Sequence, residues 1–518
     1  MNCTKRFLAL CALAGLAITS SYAATPSKIK HVLLISVDGL HSIDITNYIA
    51  ANPNSTLAAL SNRSIRYDNA YIPSISDSFP GLAALITGGS PVTTGIWYDV
   101  TYNRKLAPPA LTTPYGIVGG PGLCPSVVGT QIGFDEEIDV DYTKLNGGGG
   151  IDPRYLPRDP AHGCVPVYPH NYLRVNTIFE VAREAGLHTA WTDKHPSYEW
   201  TNGPSGKGVA DLYTPEINSI PVGLPGIAGC NPLPDQANAT PTNAWTDSLQ
   251  NIQCYDTLKV NATINEINGK THDGSHSAPV PAIFGFNYQV VSVGEKLAGA
   301  GYTDPWGTPS TGLKSELDFV DSSLNRILTA LNAAGLTDST VVVLTAKHGQ
   351  SPVDQTKLNK INANNPANVV GSSYAFDISD DGSLIWLKNP SDIDSVLPNL
   401  ASDGASQLGA QEIFAGDTLK TRWDDPNVDE RTPDIIVKVN TGVIFTGGSK
   451  IAEHGGLNED DIHVGLMISA ASITKPVVVK ANVSTAQVAP SILWMLGLDP
   501  AKLQAVQREG TTVLPFLP

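Results

Sequence analysis

The sequence predicts a doubly wound α/β fold: a mostly parallel sheet with helices on both faces and loop-rich insertions. Three observations lead there. The runs His31 to Val37 (HVLLISV), Pro281 to Phe286 and Val341 to Leu344 are almost wholly apolar, as strands buried on both faces of a parallel sheet must be. Helical patterns alternate with them along the chain, as at Val175 to Gly186 and Leu313 to Gly335. Several of these strands end in polar residues, Asp38, Asn287 and Lys347-His348, and open α/β sheets place ligand sites beyond the carboxyl ends of their strands.

In chain order, the first strand ends in Asp38-Gly39, and Ser55 to Leu60 reads as a short helix. Ile65 to Tyr71 reads as a strand leading into the polar run around Ser74, Ser76 and Asp77. An apolar helical run from Leu82 to Thr87 follows Ser78-Phe79-Pro80-Gly81. Proline suits the first helical turn and Asp or Ser the cap before it, so Ser78 falls at a helix N-terminus with Asp77 as a cap. From Asp99 to Leu173 the periodicity fades into Pro- and Gly-marked loops, and a second irregular region covers 196–280. Between them, His188 to Trp191 is a strand followed by Asp193-Lys194-His195. The tail carries strands near Leu384 to Leu387, Ile435 to Val439 and Val464 to Ser469, with helices at Ile393 to Leu400 and Ala486 to Leu496. The expected organisation is one catalytic domain over 28–518 with insertions at about 100–173 and 196–280.

Residues 1–23 read as a secretory signal: Lys5 and Arg6, an apolar stretch from Phe7 to Ile18, then Ser21-Tyr22-Ala23. The expected location is outside the cell, or the periplasm of a bacterium, with no membrane span. Losing that segment moves the net charge from −16 to −18, which excludes nucleic-acid binding by bulk attraction. A phosphate site must therefore be locally positive, through a metal, a lysine or a helix end. Cys124, Cys164, Cys230 and Cys254 remain, with no Cys-x-x-Cys spacing for zinc. Four cysteines in an exported chain suggest two disulfides, and the neighbours in sequence, Cys124 with Cys164 and Cys230 with Cys254, are favoured among the three possible connectivities. Sequons at Asn54, Asn62, Asn238, Asn261 and Asn482 mark glycosylation sites if the source is a eukaryote.

The chemistry-bearing residues are Ser78, a nucleophile, Asp38, a carboxylate, His348 and His454, two imidazoles, Lys347, an ammonium, and Asn287 and Gln289, amides able to donate to a substrate oxygen. Imidazole and carboxylate suit zinc and similar divalent ions, and such an ion can lower the pKa of a bound serine and hold a phosphoryl oxygen. His195, close to Asp193, is either a replacement ligand or a residue that orients its loop.

Val37-Asp38-Gly39, Ser78-Phe79-Pro80, Ile86-Thr87-Gly88 to Gly95-Ile96, His348-Gly349, Glu453-His454-Gly455-Gly456 and Ala489-Pro490-Ser491-Ile492-Leu493 occur in that order along the chain. Together they resemble the alkaline phosphatase superfamily, and within it the type I phosphodiesterase/nucleotide pyrophosphatase family. The resemblance implies an alkaline-phosphatase-like fold and hydrolysis of a small phosphate ester. It also implies a covalent phospho-Ser78 intermediate, with Asp38, His348 and His454 bound to metal. The sequence departs from the pattern at Lys347, where the family has Asp before His-Gly, and at Phe286 to Val293, where a carboxylate and a histidine are missing. The expected centre therefore holds one divalent ion, zinc by preference, or none, with Lys347 as the substitute cation. The alternative is a non-catalytic extracellular binding protein on the same fold with a degenerate metal site.

Overall fold

The structure, a computed structural model, describes residues 28–120, 127–240 and 244–518. Its centre is an eight-stranded sheet. In chain order the strands are β1 (His31–Val37), β2 (Ser64–Tyr67), β3 (Ala190–Thr192), β4 (Asp211–Tyr213), β5 (Ile283–Tyr288), β6 (Thr340–Thr345), β7 (Leu466–Ser469) and β8 (Val477–Val479). Across the sheet they run β8-β2-β7-β6-β1-β5-β3-β4. Only β7 runs against its neighbours β6 and β2; the other pairings are parallel. The expected doubly wound, mostly parallel sheet is what the chain forms.

The first strand explains why its sequence is apolar throughout. Val32 and Leu34 face a core built with helix α1 (Ser78–Thr87), α2 (Ile178–Glu184) and α6 (Val488–Met495). Leu33, Ile35 and Val37 face the opposite core, built with α3 (Leu249–Ile267), α4 (Val290–Lys296) and α5 (Thr311–Ala333). Each of these side chains is fully buried, which removes roughly 1.5–3 kcal/mol worth of apolar surface apiece from water.

Three expectations need correction. The region 196–280 contains α3, a helix of 19 residues. Its buried face includes Asn251, Asp256, Lys259, Thr263 and Glu266, so no apolar stripe betrays it in the sequence. The strands near Leu384 to Leu387 and Ile435 to Val439 belong to a separate antiparallel sheet, with strands Tyr374–Ser379, Ser383–Leu387, Ile435–Val439 and Ala410–Ala415 side by side. A further short helix, Gln504–Glu509, follows the one expected to be last. Cys230 and Cys254 form a disulfide, as expected. The signal segment and Cys124 lie outside the described residues. No helix among the described residues is long and apolar enough to cross a membrane.

Candidate active site

Four adjacent parallel strands deliver their last residues to one place. Asp38 follows β1, Lys347 and His348 follow β6, Asn287 lies in β5 and Gln289 just after it, and Asp193, Lys194 and His195 follow β3. Ser78 comes from outside the sheet, as the first residue of α1, whose cap is Asp77 accepting from the Phe79 amide. The helix reaches the sheet edge through Gly81. A Cβ there would lie 2.0 Å from the carbonyl oxygen of Lys347, so only glycine allows this approach.

Ser78 Oγ has three partners. It accepts from Lys194 Nζ at 2.9 Å and lies 3.0 Å from Asp38 Oδ2 and 3.2 Å from His348 Nε2. His348 Nδ1 lies 2.8 Å from the Gly349 carbonyl, an acceptor only, so the hydrogen of a neutral ring sits on Nδ1. Its Nε2 is then a free acceptor aimed at the serine. Burial depresses the His348 pKa despite the pull of Asp38, which keeps the ring neutral.

Asp38 is enclosed by donors. Asn287 Nδ2 donates to Oδ1 at 2.7 Å, and Gln289 Nε2 donates to Oδ2 at 2.7 Å. Burial alone would raise its pKa. The charges of Lys347, His348 and Lys194 outweigh it and hold the carboxylate well below the usual range. Gln289 is itself held in place from α3. The carboxylate of Asp256 accepts from the Gln289 and Val290 amides at 2.7 and 2.9 Å, and Lys259 pairs with it at 2.8 Å. The polar buried face of α3 therefore serves the site.

Lys347, the expected substitute cation, is engaged by a carboxylate away from the serine. Lys347 is fully buried, donates to both oxygens of Asp193 at 2.8 Å and lies 4.5 Å over the ring of Tyr198. The ammonium on the nucleophile belongs to Lys194 instead. Burial opposes its charge, but Asp38, Asp77, Asp99 and Asp193 raise its pKa, so it stays protonated. The sequence singled out the triplet Asp193-Lys194-His195 for its histidine; the strand end before it was the signal that also applied to the lysine.

His454 packs against His348 with ring centroids 4.0 Å apart and the planes tilted by 36°, and its buried Nδ1 has no hydrogen-bond partner among the described residues. Burial and the charge of Lys296 push its pKa well down. Asp38, Ser78, Lys347 and His348 are all closed off from solvent. Lys194 and His454 are partly exposed, so the cluster meets solvent on their side.

The resemblance implies metal at Asp38, His348 and His454, but the side chains around Ser78 do not fit a two-metal centre. Both oxygens of Asp38 accept from amide groups, and its second oxygen also faces the serine and an ammonium 3.7 Å away. The family's carboxylate position holds Lys347, a second buried cation beside Asp38. A divalent ion here would have to displace or repel both lysines. Among the described residues, His–carboxylate groups able to hold an ion lie elsewhere, at His41, Asp44 and Glu295 and at Glu136, His195 and Glu216.

The sequence matches the family model "Type I phosphodiesterase / nucleotide pyrophosphatase" over residues 32–114 and 298–463. Asp38, Ser78, Lys347, His348 and His454 lie inside those stretches; Asp193, Lys194, Asn287 and Gln289 lie between them. A comparison with curated protein sequences gives no match. Among solved structures, murine ectonucleotide pyrophosphatase/phosphodiesterase 5 is 14% identical with a TM-score of 0.56, the match covering 91% of this chain and 96% of that one. The human counterpart is 14% identical with a TM-score of 0.54, covering 90% and 95%. The alkaline phosphatase PafA is 12% identical with a TM-score of 0.61, covering 92% and 97%. The fold is thus alkaline-phosphatase-like. By sequence the chain is similar to the type I phosphodiesterase/nucleotide pyrophosphatase family over two stretches that together make up 249 of its 518 residues.

Proposed function

We propose that this protein hydrolyses small phosphate esters, phosphodiester or nucleotide-like, with Ser78 as nucleophile and lysine rather than metal supplying the positive charge beside it. The observation that carries the reading is the set of three contacts to Ser78 Oγ, from Lys194, Asp38 and His348. His348 Nε2 takes the serine proton as the oxygen attacks phosphorus, and the Lys194 ammonium and the N-terminus of α1 stabilise the developing negative charge. Attack forms a phosphoryl-serine and expels the alcohol, which takes the proton from the imidazolium; water, deprotonated at the same imidazole, then releases the phosphoryl group, as a monoester where the substrate is a diester, and the proton returns to the serine oxygen. Asp38 fixes the positions of Asn287, Gln289 and Lys194 through its hydrogen bonds and charge. The substrate class rests on the family and on a neighbouring structure, an inactive variant of the murine phosphodiesterase in complex with AMP. The proposed setting is outside the cell, on the signal-like segment at residues 1–23 and the disulfide between Cys230 and Cys254.

The test is turnover of bis-p-nitrophenyl phosphate and p-nitrophenyl phosphate by the wild type and Ser78→Ala. Turnover that vanishes in the variant, with phosphate trapped on Ser78 after an acid quench, supports the reading. No turnover of either ester favours a binding protein, a reading to which the burial of Ser78 lends weight.

A further inference from the structure

Directly behind the catalytic lysine lies a second cluster that the reaction does not use. His195 follows Lys194, Glu216 comes just after β4, and Glu136 and Asp139 bracket the turn that enters from the first irregular region. His195 Nδ1 lies 2.9 Å from both carboxylate oxygens of Glu216. One ligand atom from each of Glu136, His195 and Glu216 lies within 4.8 Å of the others. Atoms that share an ion at about 2.1 Å sit about 3 Å apart, so the imidazole–carboxylate spacing is that of a coordination edge.

Asp139 supplies the independent observation. It is 1% exposed, neither carboxylate oxygen meets a donor among the described residues, and the carboxyl lies against that of Glu216 and faces Glu136. It is held there: Gly147 covers it so closely that a Cβ would lie 2.9 Å from Oδ2. Among the described residues no lysine or arginine forms a salt bridge with Glu136, Asp139 or Glu216. A buried carboxylate without donors is costly, and two of them together more so, unless a cation joins them. Burial accordingly pushes Asp139 up to about 10 and Glu216 up to about 8, and drives His195 down to about 4, the neutral form that ligates.

We propose that Glu136, Asp139, His195 and Glu216 bind a single divalent cation, zinc or manganese, at a site separate from Ser78. One imidazole among carboxylates is the donor set those two ions share. The ion ties the turn at Glu136 to the strand end that carries Lys194, and so positions the lysine without touching the ester. All four residues fall in the stretch between the two family-matched segments. The inference stands whether or not the esterase reading does.

The experiment titrates chelator-stripped, full-length protein with zinc and with manganese by calorimetry, alongside metal analysis of the protein as purified. A single equivalent of one of these ions is expected in the wild type. Asp139→Asn and Glu216→Gln should weaken its binding at least about tenfold, whereas Asp38→Asn should retain it. The wild type should gain about 3 °C in Tm at a hundredfold excess of ion over Kd, and the two variants, at the same ion concentration, should gain no more than about half of that. Both variants keep side-chain shape, and a metal-free Tm at or above that of the wild type verifies that they fold. Two results overturn the proposal. One is absence of binding in the wild type, leaving the carboxyls to share protons. The other is an ion lost in Asp38→Asn but kept in Asp139→Asn and Glu216→Gln.

Discussion

The ammonium of Lys194 lies 2.9 Å from the hydroxyl oxygen of Ser78. Two features make this contact more than a chance surface pair. The lysine stays charged against its burial because four aspartates surround it, and the serine it touches heads a helix whose amide dipoles point the same way. Lys194→Ala should therefore lower kcat about 10²- to 10³-fold, the usual effect of removing one donor from a developing oxyanion. The measurement is steady-state turnover of an aryl phosphodiester with Tm recorded in parallel. Full activity in a folded Lys194→Ala protein would remove the lysine from the mechanism.

Lys347 should behave differently, because its partner is Asp193 and not the nucleophile. Both groups are fully buried and joined by two hydrogen bonds. Lys347→Met would leave the Asp193 carboxylate buried and unpaired, at a cost of about 3–5 kcal/mol. Chemical denaturation should show that loss, and the double variant Lys347→Met with Asp193→Leu should recover most of it. A Lys347→Met protein of native stability but without turnover would instead place this ammonium at the reaction.

The pH profile follows from two groups with opposite requirements. His348 must be neutral to accept the serine proton, and burial moves its pKa below the usual 6.5. Activity is thus lost as pH falls through a value lower than 6.5. Lys194 must be charged, and its carboxylate neighbours raise its pKa above the usual 10.5 against the effect of burial. Activity is lost as pH rises through a value higher than 10.5. The expected kcat/KM profile is flat across neutral and moderately alkaline pH, unlike one shaped by an unshifted histidine. An acidic limb centred above 6.5 would rule out His348 as the base.

The central sheet and the nucleophile were legible in the sequence because each carries a local signature. A strand buried on both faces has no polar positions, so His31 to Val37 announces itself, and Ser78 before Pro80 and an apolar run marks a helix start. What escaped depends on partners distant in sequence. Lys194 and Lys347 both follow strands, and nothing local says that Lys347 will meet Asp193 while Lys194 turns to the serine 116 residues earlier. Helix α3 escaped because polar residues interrupt its buried face: Asp256 and Lys259 satisfy each other and the turn at Gln289 beside its apolar contacts. Periodicity finds faces that hide from water, and a buried ion pair hides without leaving that mark.

The amides around Asp38 allow a sharp test of how the site balances its charge. Gln289 Nε2 donates to Asp38 Oδ2 at 2.7 Å, and Gln289→Glu replaces that donor with a carboxylate of nearly the same shape. Two carboxylates at that separation cannot both ionise without a cation between them, so the pKa of the pair rises in the folded state. The sign follows from linkage: the folded state then binds a proton the unfolded chain releases, and stability falls as pH rises through the raised pKa. At neutral pH the variant should be destabilised by about 1–3 kcal/mol, the cost of losing a hydrogen bond to a charged group and leaving an acceptor without its donor. The deficit should shrink as the pH approaches the ordinary carboxylate range. Urea unfolding of both proteins across that range reads it directly. If Gln289→Glu is as stable as the wild type at neutral pH with no ion bound, Asp38 does not rely on the amide hydrogen, and charge balance at Ser78 rests on the lysines alone.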